Sequence, residues 1–218
     1  MAKRYDLVVF DWDGTLMDSA GAIVRAICSA SEDMGLPPPS EERARHVIGL
    51  GLQDALHYAV PELPVERYPQ MAERYRHHYL SSDHELTLFA GTREMIEWLS
   101  AEGFWLTVAT GKSRRGLERA LAQSGLGGLF HATRCADECF SKPHPAMLEE
   151  LMDELGVGRA RTVMIGDTVH DLQMARNAGV DGVAVSFGAH PQAVLIAESP
   201  LVCVDSPAQL HDWLRSCA

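Results

Sequence analysis

Leu7-Val8-Val9-Phe10-Asp11-Trp12-Asp13-Gly14-Thr15 is an apolar run that ends, close to the N-terminus, in two carboxylates, a glycine and a hydroxyl. Four successive apolar residues read as a strand buried on both faces, the position of an inner strand in a parallel sheet. Such strands present ligand groups at their carboxyl ends. Asp11 and Asp13 stand at that end, and their i, i+2 spacing starts both side chains on one side of an extended backbone, within reach of one cation or one substrate group. An ordinary Asp-Gly turn is the other reading of these residues taken alone. The rest of the chain decides between the two.

The 218 residues suit one sizeable domain, or a main domain with a smaller insert. A formal net charge of -11 argues against a general nucleic-acid binder and makes an anionic substrate awkward unless cations offset the field, which points towards a metal. Cys28, Cys135, Cys139, Cys203 and Cys217 form no CxxC pair and no disulfide-like framework, as expected of a protein of the reducing cytoplasm. Met1-Ala2-Lys3-Arg4 is basic, but the residues after it turn acidic too soon for a signal peptide or a membrane span.

After Thr15 the pattern turns helical, with Ala22, Ile23, Ala26 and Ile27 on one face, until Gly35 and Pro37-Pro38-Pro39 stop it. Ser40 is placed to cap a second helix, although Arg43 stands where Glu or Gln would complete a capping box. Gly49 and Gly51 break that helix, and a further helical run ends at Pro61. A longer helix is expected from about Val65 to Ser81. From Leu88 the chain alternates helices with apolar strands, expected at 105–109, 130–133, 162–165, 182–185 and 201–204, the pattern of a parallel sheet with crossover helices. The first strand belongs with this later set. Residues 1–19 and 84–218 are therefore expected to form one α/β domain, a Rossmann-like three-layer core, interrupted by an all-helical insert over 20–83.

The other strand ends carry groups suited to phosphate. Thr110-Gly111-Lys112-Ser113 places a hydroxyl and backbone N–H groups at a helix start, where the helix dipole favours anions. Ser141-Lys142-Pro143-His144-Pro145 fixes a lysine just ahead of a helix expected to start at proline. Gly166-Asp167-Thr168-Val169-His170-Asp171 repeats the opening design, with an acid at the end of a buried strand and a second acid on the first turn of the next helix. Helix capping accounts for either acid alone. It does not account for all four strand ends in order.

These motifs resemble those of the haloacid dehalogenase superfamily of phosphatases across essentially the whole chain. Asp11-Trp12-Asp13-Gly14-Thr15 matches that family's first motif, Thr110 its second, Lys142 its lysine motif and Gly166 to Asp171 its acidic motif. The resemblance implies a Rossmann-like core with a small helical cap inserted after the first strand. It implies Mg²⁺ held by Asp11, the Asp13 backbone carbonyl and Asp167, with Asp171 behind them. It also implies Asp11 as nucleophile, Asp13 as acid and then base, and Lys142, Thr110 and the N–H groups of Gly111 and Trp12 as the phosphate cradle. Trp12 replaces the commoner Leu or Met and is expected to contribute bulk.

The expected activity is hydrolysis of a small phosphorylated metabolite through an aspartyl phosphate, by a monomer or homodimer with no nucleic-acid or membrane partner. Asp13 argues against dehalogenases, which lack that acid, and the absence of lysine between Ala20 and Asp83 argues against phosphonatases. Sugar phosphate mutases, pyrophosphatases and nucleotidases share the core motifs. Arg45-His46-Val47-Ile48-Gly49-Leu50-Gly51-Leu52-Gln53 is similar to the cap turn of phosphoglycolate phosphatases. Arg45 is a candidate partner for a substrate carboxylate; a solvated helix face is the plainer reading of it and of His46, Gln53 and Arg25.

Overall fold

The computed structural model describes residues 3–217. β1 (Leu7–Phe10) is followed by α1 (Ala20–Asp33), α2 (Glu41–His46), α3 (Leu52–Ala59) and α4 (Tyr68–Ser82). Helices and strands then alternate as α5 (Thr92–Ala101), β2 (Trp105–Thr110), α6 (Arg114–Ser124), β3 (Ala132–Cys135), α7 (Ala146–Leu155), β4 (Thr162–Gly166), α8 (Val169–Ala178), β5 (Asp181–Val185), α9 (Gln192–Ala197), β6 (Val202–Val204) and α10 (Pro207–Ser216).

The strands form one parallel sheet in the order β3-β2-β1-β4-β5-β6. β1 lies at its centre because all four of its side chains are apolar and each face needs covering. Val8 and Phe10 pack with Leu106, Val108 and Ile165 on one face, and Leu7 and Val9 with Met147, Leu151 and Met164 on the other. The strand order reverses between β1 and β4, and the crevice beyond the carboxyl ends of these strands is where α/β sheets bind ligands.

α1 to α4 bury their apolar faces chiefly against one another. Ile23, Ile27, Ile48, Leu56 and Met71 belong to an apolar cluster separate from those of the sheet, joined from outside by Ala189. Gly35, with φ 72°, ends α1, and the Ser40 hydroxyl accepts the Arg43 N–H at the start of α2. None of the described helices is long and apolar enough to cross a membrane. All five cysteines are free.

Several boundaries shift by a residue or more from expectation, and two of the shifts have a clear cause. β3 begins at Ala132 instead of 130, because pairing with β2 starts at Thr107↔Ala132, while Phe130 packs on the core from the preceding loop. α7 begins at Ala146 and not at Pro143. The His144 N–H closes a turn onto the Ser141 carbonyl at 3.0 Å, so the backbone around Lys142 is spent on that turn.

Candidate active site

Asp11 and Asp13 leave the end of β1, Thr110 ends β2, Asp167 follows β4 and Asp171 lies on the first turn of α8. Lys142 reaches them from the turn before α7. Its Nζ is 2.8 Å from Asp11 Oδ1 and 2.6 Å from Asp171 Oδ1, with all three side chains fully buried. The second Asp171 oxygen accepts the Thr168 N–H at 3.1 Å and its hydroxyl at 2.7 Å, part of the capping box that starts α8. Asp167 accepts the Thr15 hydroxyl and the Ala189 N–H, each at 2.7 Å. Asp11 Oδ2 has no hydrogen-bond partner among the described residues.

Carboxylate oxygens of Asp11, Asp167 and Asp171 all lie within 4.8 Å of one another. Burial pushes the Asp11 carboxyl up to about 7 against the pull of the Lys142 ammonium. Asp167 is pushed upward by burial and by the charges of Asp11 and Asp171. Three buried carboxylates thus share one ammonium, and one oxygen is left without a donor. Hard oxygen donors with excess negative charge are what Mg²⁺ requires, so the residues fit that ion. The close approach of the strand ends depends on Gly14, whose φ is 80° and where a Cβ would lie 2.2 Å from Asp167 Oδ2.

The cradle residues expected from the sequence stand at the carboxyl ends of the adjacent strands β1 and β2. Thr110 is buried, and its side-chain oxygen accepts the Lys112 N–H at 3.2 Å, leaving its hydroxyl proton available to donate. The backbone N–H groups of Trp12 and Gly111 have no acceptor among the described residues. The Trp12 indole is fully buried beside Phe130.

The helical segment closes over these groups. Gly51 N–H donates to Ser141 Oγ at 2.8 Å, and Arg119 pairs with Asp83 at 3.3 Å. His170 and His190 each bring Nε2 to the His46 carbonyl oxygen, at 2.7 and 3.2 Å, and His190 Nδ1 accepts the Val169 N–H at 3.1 Å. Burial pushes His190 down to about 4, so the neutral ring donates through Nε2. The His46 backbone carbonyl is therefore an anchor between the layers, and its half-buried ring stacks on His190 with centroids 5.4 Å apart. Sequence spacing could not reveal this contact between residues more than 120 positions apart.

Beside Asp13 lies a cavity of about 810 Å³, lined by Tyr75, Tyr79, Lys112, Arg115 and Leu50 among others. Arg45 does not line it. Its guanidinium pairs with Glu41 at 2.9 Å, one turn away on the same helix, in keeping with the solvated helix face that was the plainer reading. Lys112, on the turn after β2, has no role that the sequence assigns. Its Nζ lies 2.9 and 3.0 Å from the two Asp13 oxygens, and only a lysine on the turn after a phosphate-binding strand marks it in the sequence.

The fit of the layers gives a test. A Cβ on Gly111 would lie 2.4 Å from the Leu50 oxygen and 2.5 Å from the Gly49 oxygen, both backbone atoms that no rotamer change can move. Gly111→Ala is expected to hold the helical layer away from the sheet and lower kcat/KM about a hundredfold, with the thermal midpoint little changed. Steady-state kinetics and a melting curve check this. Activity equal to the parent would mean that turnover does not use this closed arrangement.

The chain matches the haloacid dehalogenase-like hydrolase family over residues 8–185. It is 35% identical over 206 residues to the "Probable phosphatase IndB" of Dickeya dadantii, covering 92% of this chain and 89% of that protein. It is 32% identical over 197 residues to the phosphoglycolate phosphatase of Aliivibrio fischeri, covering 86% and 87%. The crystal structure of a hydrolase from Pseudomonas syringae superposes with a TM-score of 0.89 over 97% of this chain and 99% of that one, at 23% identity.

Proposed function

This chain belongs to the haloacid dehalogenase-like hydrolases, and we propose that it hydrolyses a small phosphomonoester with Asp11 as nucleophile. The observation that carries the proposal is the Asp11 carboxylate, buried at the reversal of strand order, paired with Lys142 on one oxygen and unpartnered on the other. Asp11, Asp167 and the Asp13 backbone carbonyl would hold Mg²⁺, which when bound offsets the negative charge of carboxylates and phosphate.

Asp11 attacks phosphorus, the bond to the leaving oxygen breaks, and Asp13 donates a proton to the departing alkoxide. Water then attacks the aspartyl phosphate, Asp13 takes a proton from it, and orthophosphate leaves with the Asp11 carboxylate restored. The Thr110 hydroxyl and the N–H groups of Trp12 and Gly111 donate to the phosphoryl oxygens. Lys142 pulls Asp11 towards its ionised form against the effect of burial, and Asp171 holds Lys142. Residues 20–83 act as a cap that excludes water while the bond breaks.

2-Phosphoglycolate is the first substrate to test, because relatives across the chain carry that activity in their names. Sugar phosphates, nucleotides and pyrophosphate complete the panel. Interconversion of sugar phosphates without phosphate release would indicate a mutase instead.

Phosphate release from p-nitrophenyl phosphate should require Mg²⁺, cease with EDTA and return on adding excess Mg²⁺. The ion should also raise the thermal midpoint by several degrees, since a ligand at a hundred times its Kd stabilises by about 2.7 kcal/mol. Full activity in EDTA would overturn the assignment.

A further inference from the structure

Lys112 lies outside the family motifs, yet it makes the closest charged contact to Asp13. Its ammonium meets both Asp13 oxygens, at 2.9 and 3.0 Å, and the Tyr79 hydroxyl at 2.9 Å. It also lies 4.8 Å from the centre of the Tyr79 ring. The Ser19 hydroxyl donates to Asp13 Oδ1 at 2.6 Å. The side chains of Asp13 and Lys112 are 9% and 10% exposed, so little water competes for these contacts.

The four groups come from four parts of the chain: the end of β1, the connection into α1, the turn after β2, and α4. Tyr79 is the member that belongs to the helical layer. Its contact with Lys112 exists only while that layer is closed on the sheet.

We propose that Lys112, seated by Tyr79, is a positioning residue that holds Asp13 as the proton acceptor for hydrolysis of the aspartyl phosphate, and so ties this step to closure of the helical layer. The inference rests on the roles given above to Asp11 and Asp13. A carboxylate offers about four lone-pair sites. Lys112 takes one on each oxygen and Ser19 a third, which leaves one directed acceptor site for a water proton. In the step concerned, the water oxygen bonds to phosphorus and the bond from phosphorus to Asp11 breaks. The water proton goes to Asp13. A carboxylate gripped on both oxygens is also unable to swing towards Lys142, which serves Asp11.

p-Nitrophenyl phosphate separates the two halves of the reaction, because its leaving group departs without a proton while the second half still needs the base. Mg²⁺-loaded protein is mixed rapidly with excess substrate. The first-turnover rate, the steady-state rate and the phosphorylated fraction in acid-quenched protein are measured. Lys112→Met is expected to keep the first-turnover rate within about threefold and to lower the steady-state rate at least about thirtyfold, so that phosphorylated protein accumulates. Tyr79→Phe, which leaves the fold's packing intact, should shift the same ratio in the same direction by a smaller factor. Lys112→Arg, which keeps the charge, should recover part of the steady-state loss.

Equal loss in both phases, or an unchanged steady-state rate in Lys112→Met and Tyr79→Phe, would overturn the inference. The parent protein and Asp11→Asn serve as controls. Turnover by the parent with none by Asp11→Asn leaves the phosphatase reading standing whatever Lys112→Met does. Parent-like turnover by Asp11→Asn overturns that reading itself.

Discussion

Asp11→Asn is expected to abolish phosphate release, by at least about a thousandfold, and at the same time to stabilise the metal-free protein. Asparagine keeps the shape of the side chain but cannot attack phosphorus, so the covalent route closes, and a thousandfold loss corresponds to about 4 kcal/mol of barrier. The stability effect follows from burial. Moving the Asp11 carboxylate out of water costs more than the Lys142 ammonium returns, and the carboxyl is held up near 7.

The sign of the pH dependence is fixed by that direction. A carboxyl whose folded value lies above the unfolded one, about 4, favours the folded state while protonated. Its contribution is lost as pH rises from about 4 towards 7. The metal-free parent should therefore melt lower at pH 8 than at pH 5.5, and Asp11→Asn should flatten that difference. Melting curves in EDTA across this range measure it. A variant that melts below the parent at pH 8 would contradict the account, since it would show the charge to be well compensated without a metal.

Lys142→Met should cost both stability and activity. The substitution leaves Asp11, Asp167 and Asp171 buried within 4.8 Å of one another with no ammonium between them. Removing one partner of a buried ion pair typically costs about 3–5 kcal/mol, which in a chain of this size lowers the midpoint by roughly 6–20 °C. Activity should fall at least about a thousandfold, because the orphaned carboxylates take up protons and a protonated Asp11 is no nucleophile. The stability deficit should be smaller at pH 5.5 than at pH 8, as protonation removes the uncompensated charge. An equal deficit at both pH values would assign the loss to packing of the lysine stem.

The two substitutions pull stability in opposite directions although they remove the two ends of one ion pair. The charge count explains this: the cluster has too many carboxylates and one cation. A bound divalent ion would reverse the balance, so both effects should shrink when Mg²⁺ is added.

The strand-end acids, Thr110 and Lys142 were legible in the sequence because each is marked locally. An apolar run stops at a carboxylate or a hydroxyl, and a short strand has few places to put its end. The doubly wound sheet followed from the same alternation of strands and helices. Boundaries were less legible where pairing or a turn set them: β3 waits for Thr107, and α7 waits until the Ser141 turn has closed.

The amino-acid sequence by itself determined the sheet, the helical segment between its first two strands, and the chemistry gathered at the strand ends, since buried periodicity and abrupt polarity are properties of neighbours along the chain. Only the tertiary structure decided what faces what. His46 lends its carbonyl to His170 and His190, and Lys112 finds Asp13 across 99 residues of chain. Those pairings arise when the helical layer folds onto the sheet and excludes water. Ion pairs that would be weak in solvent then govern how the carboxylates are placed.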